Sequence, residues 1–258
     1  MTLPLVRSRL FPLGFVHGFT ERAGGVSPPP YDTMNVGFKW GDDTANVIAN
    51  RALVHTACGA SRLLLAKQVH GSAVAVVSMD DDVDRVAALQ ADAVVTADED
   101  LGVGVIVADC VPVLLADPVT GACAAIHAGW RGTAANVVGE TVATLTRRFG
   151  VRPADLVAAI GPSIGPCCFE VGDEVVAALT AVLPGHAGLA AIGPRGRAHA
   201  DLWRANAWLL QSAGVGAGHI DVLGECTHCQ PHRFFSYRRD GSVTGQMMAF
   251  VARRSVAP

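Results

Sequence analysis

Six short apolar runs follow one another between residues 63 and 127, at 63–66, 74–77, 93–96, 103–108, 113–116 and 123–126, and several are bounded by Gly, Pro or Asp. Runs of this length are too brief for helices, and their Val content suits a pleated surface, so they predict strands. The strands come in such close succession that hairpins and antiparallel pairing should contribute. The longest apolar stretch, 101–116, is interrupted by Asp109 and carries Pro112, whereas a membrane span needs about 18 uninterrupted apolar residues. No membrane association is expected.

Helical patterns flank this region. Asp43 or Thr44 can cap a helix to Cys58 with Val47, Ile48, Ala52, Leu53 and Val54 as its apolar stripe. A long helix is predicted over 133–149, with Val137, Val138, Val142 and Leu145 facing the core, Arg147 and Arg148 in its last turn and Gly150 as its stop. Two more are predicted over 173–182 and 201–212, and further strands over 156–160, 219–223 and 247–252. Pro28-Pro29-Pro30 and 184–196 read as loops. The fold class is therefore α/β in the α+β sense, mixed sheets with helices packed on them, and without repeat or linker it reads as one domain over 1–258.

Half of the 258 residues are apolar and 17% are charged, enough to bury a sizeable core and incompatible with general disorder. The net charge of −3 leaves no basic surplus for a nucleic acid. The first 19 residues carry Arg7, Arg9 and His17 and show no secretory leader. Seven cysteines in no disulfide framework then predict free thiols in the cytoplasm.

Three polar residues each follow an apolar run and precede a turn: His70 before Gly71, Cys110 before Val111-Pro112, and His127 before Ala128-Gly129. Two imidazoles and a thiolate with a fourth position open form the ligand set of a catalytic zinc. The same residues also suit a buried small hydrophobe and two hydrogen-bonded histidines. Gly129-Trp130-Arg131-Gly132-Thr133 leads into the predicted helix, either as an anion site built from amides and Arg131 or as an ordinary turn with a solvated Arg131. The adjacent Cys167-Cys168 reads as packing, with Glu170 as a polar contact to substrate. Cys226-Thr-His-Cys229 lacks a second pair at ribbon spacing, and with His228 and His232 it reads as a loop.

Lys67-Gln-Val-His70-Gly71, Val107-Ala-Asp-Cys110, Ile126-His127-Ala-Gly-Trp-Arg131-Gly-Thr133, Ile160-Gly-Pro-Ser-Ile-Gly-Pro-Cys-Cys168 and Phe234-Phe-Ser-Tyr-Arg-Arg-Asp240 together resemble the YfiH or laccase-domain family. Thr20-Glu-Arg22-Ala-Gly-Gly-Val-Ser27, Tyr31-Asp-Thr-Met-Asn35 and Gly41-Asp-Asp43 extend the likeness to nearly the whole chain. The resemblance implies a fold like the catalytic domain of cytotoxic necrotising factors. It implies one zinc per chain on His70, Cys110 and His127. It also implies purine nucleoside phosphorolysis, with adenosine deamination and methylthioadenosine phosphorolysis as companions. The sequence departs from the family at Thr244-Gly-Gln246, where Arg commonly follows the Gly.

On that reading His70, Cys110 and His127 are catalytic as well as metal-binding. Arg131, Arg22, Lys67 and Glu170 are the candidates for phosphate and substrate, and purine nucleoside and phosphate are the partners. No protein partner is indicated. A copper polyphenol oxidase is the less favoured metal reading, because none of the nine histidines forms a His-x-His pair. A Cys110–His127 hydrolase acting on peptidoglycan precursors uses the same residues, and a binding module without chemistry is a fourth reading.

Overall fold

Residues 3–193 and 195–254 are described by the computed structural model. Pro194, part of the expected 184–196 loop, lies outside the described residues, as do Met1 and Thr2 of the stretch read for a leader and the last four residues of the expected domain.

In chain order the elements are β1 (Leu5–Val6), β2 (Phe15–Thr20), α1 (Thr44–Cys58), β3 (Arg62–Leu64), β4 (Val74–Val76), α2 (Val83–Ala88), β5 (Ala93–Thr96), β6 (Leu101–Val107), β7 (Val111–Ala116) and β8 (Cys123–Ala128). They continue with α3 (Trp130–Ala134), α4 (Val137–Phe149), β9 (Val157–Ile160), β10 (Glu170–Val171), α5 (Asp173–Val182), β11 (Ala190–Ile192), β12 (Ala198–Ala200), α6 (Leu202–Ser212), β13 (Ile220–Val222), α7 (Tyr237–Asp240) and β14 (Met247–Arg253).

The strands form a five-stranded sheet ordered β1-β2-β14-β6-β3, a six-stranded sheet ordered β13-β9-β7-β8-β5-β4, and a small sheet β10-β12-β11. Both large sheets are mixed: β7 pairs antiparallel with β8 and β9, while β4–β5, β9–β13 and β3–β6 are parallel. The period-two alternation of side chains decides the layers. Val111, Val113 and Leu115 of β7 join Ile126, Val138, Val142, Leu145 and Leu209 in a core beneath α4 and α6. Leu114 instead joins Ala125 and Ala159 against Val103, Val105, Ala249 and Val251 of the other sheet. Met248 and Phe250 of β14 turn outward to Val54 and Cys58 of α1. The order of layers is thus helix, sheet, sheet, helix. Strands covered on both faces read as continuous apolar runs.

The predicted α/β class with mixed sheets is the observed one, and the structure corrects its details. The 133–149 helix is two helices. Asn136 stands between them at φ 56 and caps α4 by accepting the Gly139 amide at 3.2 Å. On α1 the expected stripe is partly misassigned: Ile48 and Leu53 are exposed, and Asn50 is buried where it bonds Ser27, Thr33 and Asn35. Part of the 184–196 loop is β11, paired with β12.

Candidate metal centre and its cavity

The chain leaves the five-stranded sheet at the end of β6 and enters the six-stranded sheet at β7, and Cys110 lies in that crossover. Asp109 makes the turn at φ 84, a left-handed conformation that Asp adopts more readily than most residues. Its carboxylate is spent on holding the turn, accepting from Thr227 Oγ1 and from the Arg238 amide, each at 2.6 Å.

His70 does not end a 63–69 strand, because β3 stops at Leu64. The following segment is pinned instead at three places. Lys67 bonds through its backbone to Leu89 and Ala91. The Gln68 amide exchanges two 2.7 Å bonds with the backbone of Ile106. His70 itself sits at φ 62. The Val69, His70 and Gly71 amides all donate to the Asp92 carboxylate, at 3.2, 2.9 and 2.7 Å. His127 lies inside β8, one residue before its end, and its Nδ1 meets Asp92 Oδ1 at 2.8 Å.

Asp92 is fully buried and joins the His70 segment to the His127 strand. Sequence reasoning missed it. Its only signal was an acid placed directly before an apolar run, Asp92-Ala-Val-Val-Thr96.

The side chains of His70, Cys110 and His127 bring one ligand atom each to within 4.8 Å of the others. Cys110 Sγ is 4.0 Å from His70 Nε2, and the two imidazoles meet edge to face with centroids 4.8 Å apart. A Cβ on Gly129 would stand 3.0 Å from Cys110 Sγ and 3.3 Å from His70 Cδ2. One on Gly132 would stand 3.1 Å from the Gly71 carbonyl oxygen. The two glycines of Gly-Trp-Arg-Gly therefore give clearance for the centre.

Without metal the cluster behaves as an ion pair. Burial opposes the Cys110 thiolate, but His127 and His70 outweigh it and bring the thiol down to about 6. Burial likewise opposes the charged form of His127, and the Cys110 thiolate and Asp92 carboxylate raise it to about 9. The donor set fits a divalent zinc: two imidazole nitrogens and a readily formed thiolate, with one imidazole held by a buried carboxylate as metal-ligating histidines commonly are.

The three residues open on a cavity of about 820 Å³. Lys39, Arg51 and Lys67 line it as cations, and among the described residues no Asp or Glu lines it. Arg51 is half-buried, donates to the Val36 carbonyl at 2.8 Å and lies 4.3 Å over Phe38; burial lowers it to about 10, so it stays charged at neutral pH. Phe38, Trp40 and Tyr237 give apolar faces, the last two stacked at 5.3 Å. Gln246 also lines the cavity.

Of the residues expected to bind phosphate or substrate, only Lys67 lines this cavity. Arg131 is exposed, within α3, and stacks 4.2 Å over its neighbour Trp130. Thr133 is buried in α3 and does not begin the long helix, which starts at Val137. Arg22 pairs with Asp32 at 2.8 Å and lies 4.9 Å over Phe235. Glu170 pairs with Arg195 at 2.9 Å and Arg197 at 3.4 Å beside a separate cavity of about 390 Å³. Arg51, Lys39, Trp40 and Tyr237 were missed, since single residues scattered along a chain announce no shared cavity.

The family described as multi-copper polyphenol oxidoreductase laccase matches residues 16–254. A protein of Geobacillus stearothermophilus named purine nucleoside phosphorylase YlmD is 37% identical over 250 residues, covering 93% of this chain and 91% of its own. One of Streptomyces coelicolor, also named purine nucleoside phosphorylase, is 41% identical over 247 residues, covering 91% and 93%. The crystal structure of the Geobacillus YlmD superposes with a TM-score of 0.89 at 36% identity, over 96% of this chain and 94% of that one. Among the described residues no helix is long and apolar enough to cross a membrane.

Proposed function

The chain belongs to the laccase-domain family, and from that premise we propose that it is a zinc-dependent purine nucleoside phosphorylase. The observation that carries the reading is one cavity combining the His70–Cys110–His127 cluster, three cations with no lining carboxylate among the described residues, and aromatic faces. Its relatives' names supply the substrate class.

Phosphorolysis forms a bond from a phosphate oxygen to C1′ of the ribose and breaks the bond from C1′ to the purine nitrogen, and the base leaves with a proton. Arg51, Lys39 and Lys67 hold the phosphate through this exchange, with Arg51 the best organised because its guanidinium is already fixed. The Trp40–Tyr237 pair and Phe38 supply faces for the purine. Gln246, where the family resemblance leads to an expectation of Arg, offers the substrate an uncharged amide. His70, Cys110 and His127 would hold zinc, and Asp92, bonded to Nδ1, would fix the His127 tautomer that leaves Nε2 free as a ligand atom. Zinc in such a site supplies a Lewis acid with one exchangeable position.

The companion activities, deamination of adenosine and phosphorolysis of methylthioadenosine, belong to the same cavity. Deamination is the weaker, because among the described residues no carboxylate lines the cavity to carry the proton. The test is to incubate metal-replete protein with inosine, adenosine or methylthioadenosine, with and without phosphate, and to separate the products. Phosphate-dependent release of base with ribose 1-phosphate, or with methylthioribose 1-phosphate from methylthioadenosine, supports the reading. Release without phosphate, or none, overturns it.

A Cys–His hydrolase is a second reading, favoured by the depressed Cys110 thiol beside a raised His127 oriented by Asp92. Zinc at the His70–Cys110–His127 cluster separates the two, since the hydrolase works with that cluster metal-free: Cys110→Ala should cost the parent one zinc equivalent on the phosphorylase reading and none on the hydrolase reading.

A further inference from the structure

We propose that Cys167, Cys168, Cys226 and Cys229 form a second, structural zinc site, which ties the 161–169 turn to the 223–236 segment. Along the sequence Cys167-Cys168 reads as packing, and Cys226-Thr-His-Cys229 lacks a second pair at ribbon spacing. In the structure the partner pair is the adjacent one. All four Sγ atoms lie within 4.8 Å of one another, with Cys229 Sγ 3.6 Å from Cys167 Sγ and 3.3 Å from Cys168 Sγ. A tetrahedral zinc with Zn–S bonds of about 2.3 Å has S···S edges of roughly 3.8 Å, so small shifts of side chains complete the site.

The backbone arranges this. The Cys168 and Phe169 amides both bond the Gly165 carbonyl, at 2.9 and 3.0 Å, closing a tight turn that carries both adjacent thiols to one place. Opposite it, Ser163 and Cys226 form a bridge, with Ser163 N–H donating to Glu225 at 3.1 Å and Thr227 N–H donating to Ser163 at 3.0 Å. The Gly165 amide donates to Cys226 Sγ at 3.3 Å, a bond that favours the thiolate over the thiol. Four thiolates around Zn²⁺ carry a net charge of −2, and binding releases the thiol protons to solvent. Cys167 and Cys168 line the adjoining cavity with His199, His228, Arg238 and the Glu170–Arg195 ion pair, so Arg238 is the lining cation not paired with Glu170's carboxylate and the one that offsets the charge.

The clip also reaches the first centre. Thr227, between the paired cysteines, and the Arg238 amide hold Asp109, the residue next to Cys110. Zinc at the four cysteines therefore secures one wall of the 820 Å³ cavity.

The experiment uses Cys110→Ala, in which the first centre is disabled and the four cysteines are intact. Purified under reducing conditions, this variant should retain one zinc per chain by elemental analysis. Exchange with Co²⁺ should give the intense visible bands and thiolate charge-transfer absorption of a four-sulfur tetrahedral site. Adding Cys226→Ser and Cys229→Ser, or only the milder exposed change Cys167→Ser, should abolish that spectrum while circular dichroism reports whether the fold is kept. A Cys110→Ala protein that binds no metal, or binds cobalt without a four-thiolate spectrum, overturns the proposal. A disulfide among these cysteines in freshly reduced-lysate protein does so too. Failure of the first centre reads differently: parent and Cys110→Ala would then both hold a single equivalent.

Discussion

Asp92 shows how much one buried carboxylate organises. It receives three backbone amides around His70 and the imidazole of His127, with no exposure to solvent. Asp92→Asn keeps the size but loses the charge, and an amide nitrogen cannot accept what a carboxylate oxygen does. Loss of an outer-shell partner of this kind lowers metal affinity about 10- to 100-fold, measurable by competition with a chromophoric chelator. Unchanged affinity would mean that the three ligands orient themselves. Cys110 offers a second measurement at the same scale. Its folded value of about 6 lies below the ordinary value of 9. The Cys110–His127 pair's stabilisation is therefore greatest between these limits: it is lost as pH falls through about 6, where the thiolate is protonated, and as pH rises through about 9, where His127 loses its proton. In metal-stripped protein, alkylation of Cys110 by iodoacetamide, followed by peptide mass spectrometry, should reach half its maximal rate near pH 6. A midpoint near 9 would dissolve the ion pair. Arg51 and Arg131 form the third contrast. Arg51→Ala should raise the KM for phosphate roughly 10- to 100-fold, the worth of a charged hydrogen bond at about 1.5–3 kcal/mol. Arg131→Ala, on an exposed side chain outside the cavity, should change it little. Equal effects would return the phosphate to the Gly-Trp-Arg-Gly turn.

Legibility in the sequence varied by element for identifiable reasons. Helix α1 was readable because Asp43 caps it and Gly59, at φ 69, ends it. β5 and α5 match their predicted bounds because sharp polar or glycine boundaries flank them. β2 went unnoticed because His17, Gly18 and Thr20 interrupt its apolar pattern, although the fold buries them. β11 and β12 were hidden in Gly-rich sequence. The division of the 133–149 helix was hard to read because Ala134 and Ala135 favour helix and its one signal is Asn136, a residue suited both to capping and to left-handed backbone. Of the site, the convergence of His70, Cys110 and His127 was legible through local motifs. Asp92, Arg51 and the four-cysteine cluster were not, since each depends on segments far apart in the chain. The break at Asn136 gives a prediction of its own. Asn136→Ala removes the cap on the Gly139 amide and places a Cβ residue without a compensating polar side chain at φ 56. The cost should be about 1–2 kcal/mol, or a Tm lower by roughly 2–8 °C for a chain of this size. Asn136→Gly, which relieves the backbone strain, should recover much of it. Equal losses would assign the effect to the side chain alone.

At the scale of the molecule, the three ligands of the first centre come from both halves of the layered structure. His70 follows β3 of the five-stranded sheet, Cys110 lies where the chain changes sheets, and His127 belongs to β8 of the six-stranded sheet. The ligand set therefore exists only when the two sheets are packed through the Leu114, Ala125, Val103 and Val251 layer. A metal that binds the packed state and not the unfolded chain adds stability as RT ln(1 + [L]/Kd), about 4 kcal/mol at a thousandfold excess over Kd. With roughly 2–4 °C per kcal/mol, zinc-replete protein should melt about 8–16 °C above chelator-treated protein, and the gap should widen as free zinc rises. The four-cysteine site contributes to the same gap, so the measurement is made on three proteins: the parent, Cys110→Ala and Cys226→Ser. Cys110→Ala should lose the share belonging to the sheet-spanning centre and keep the other. Cys226→Ser should do the reverse. A parent whose melting is indifferent to zinc would mean that the His70–Cys110–His127 cluster holds no metal in the folded chain, and the cavity would then have to work through the Cys110–His127–Asp92 arrangement alone.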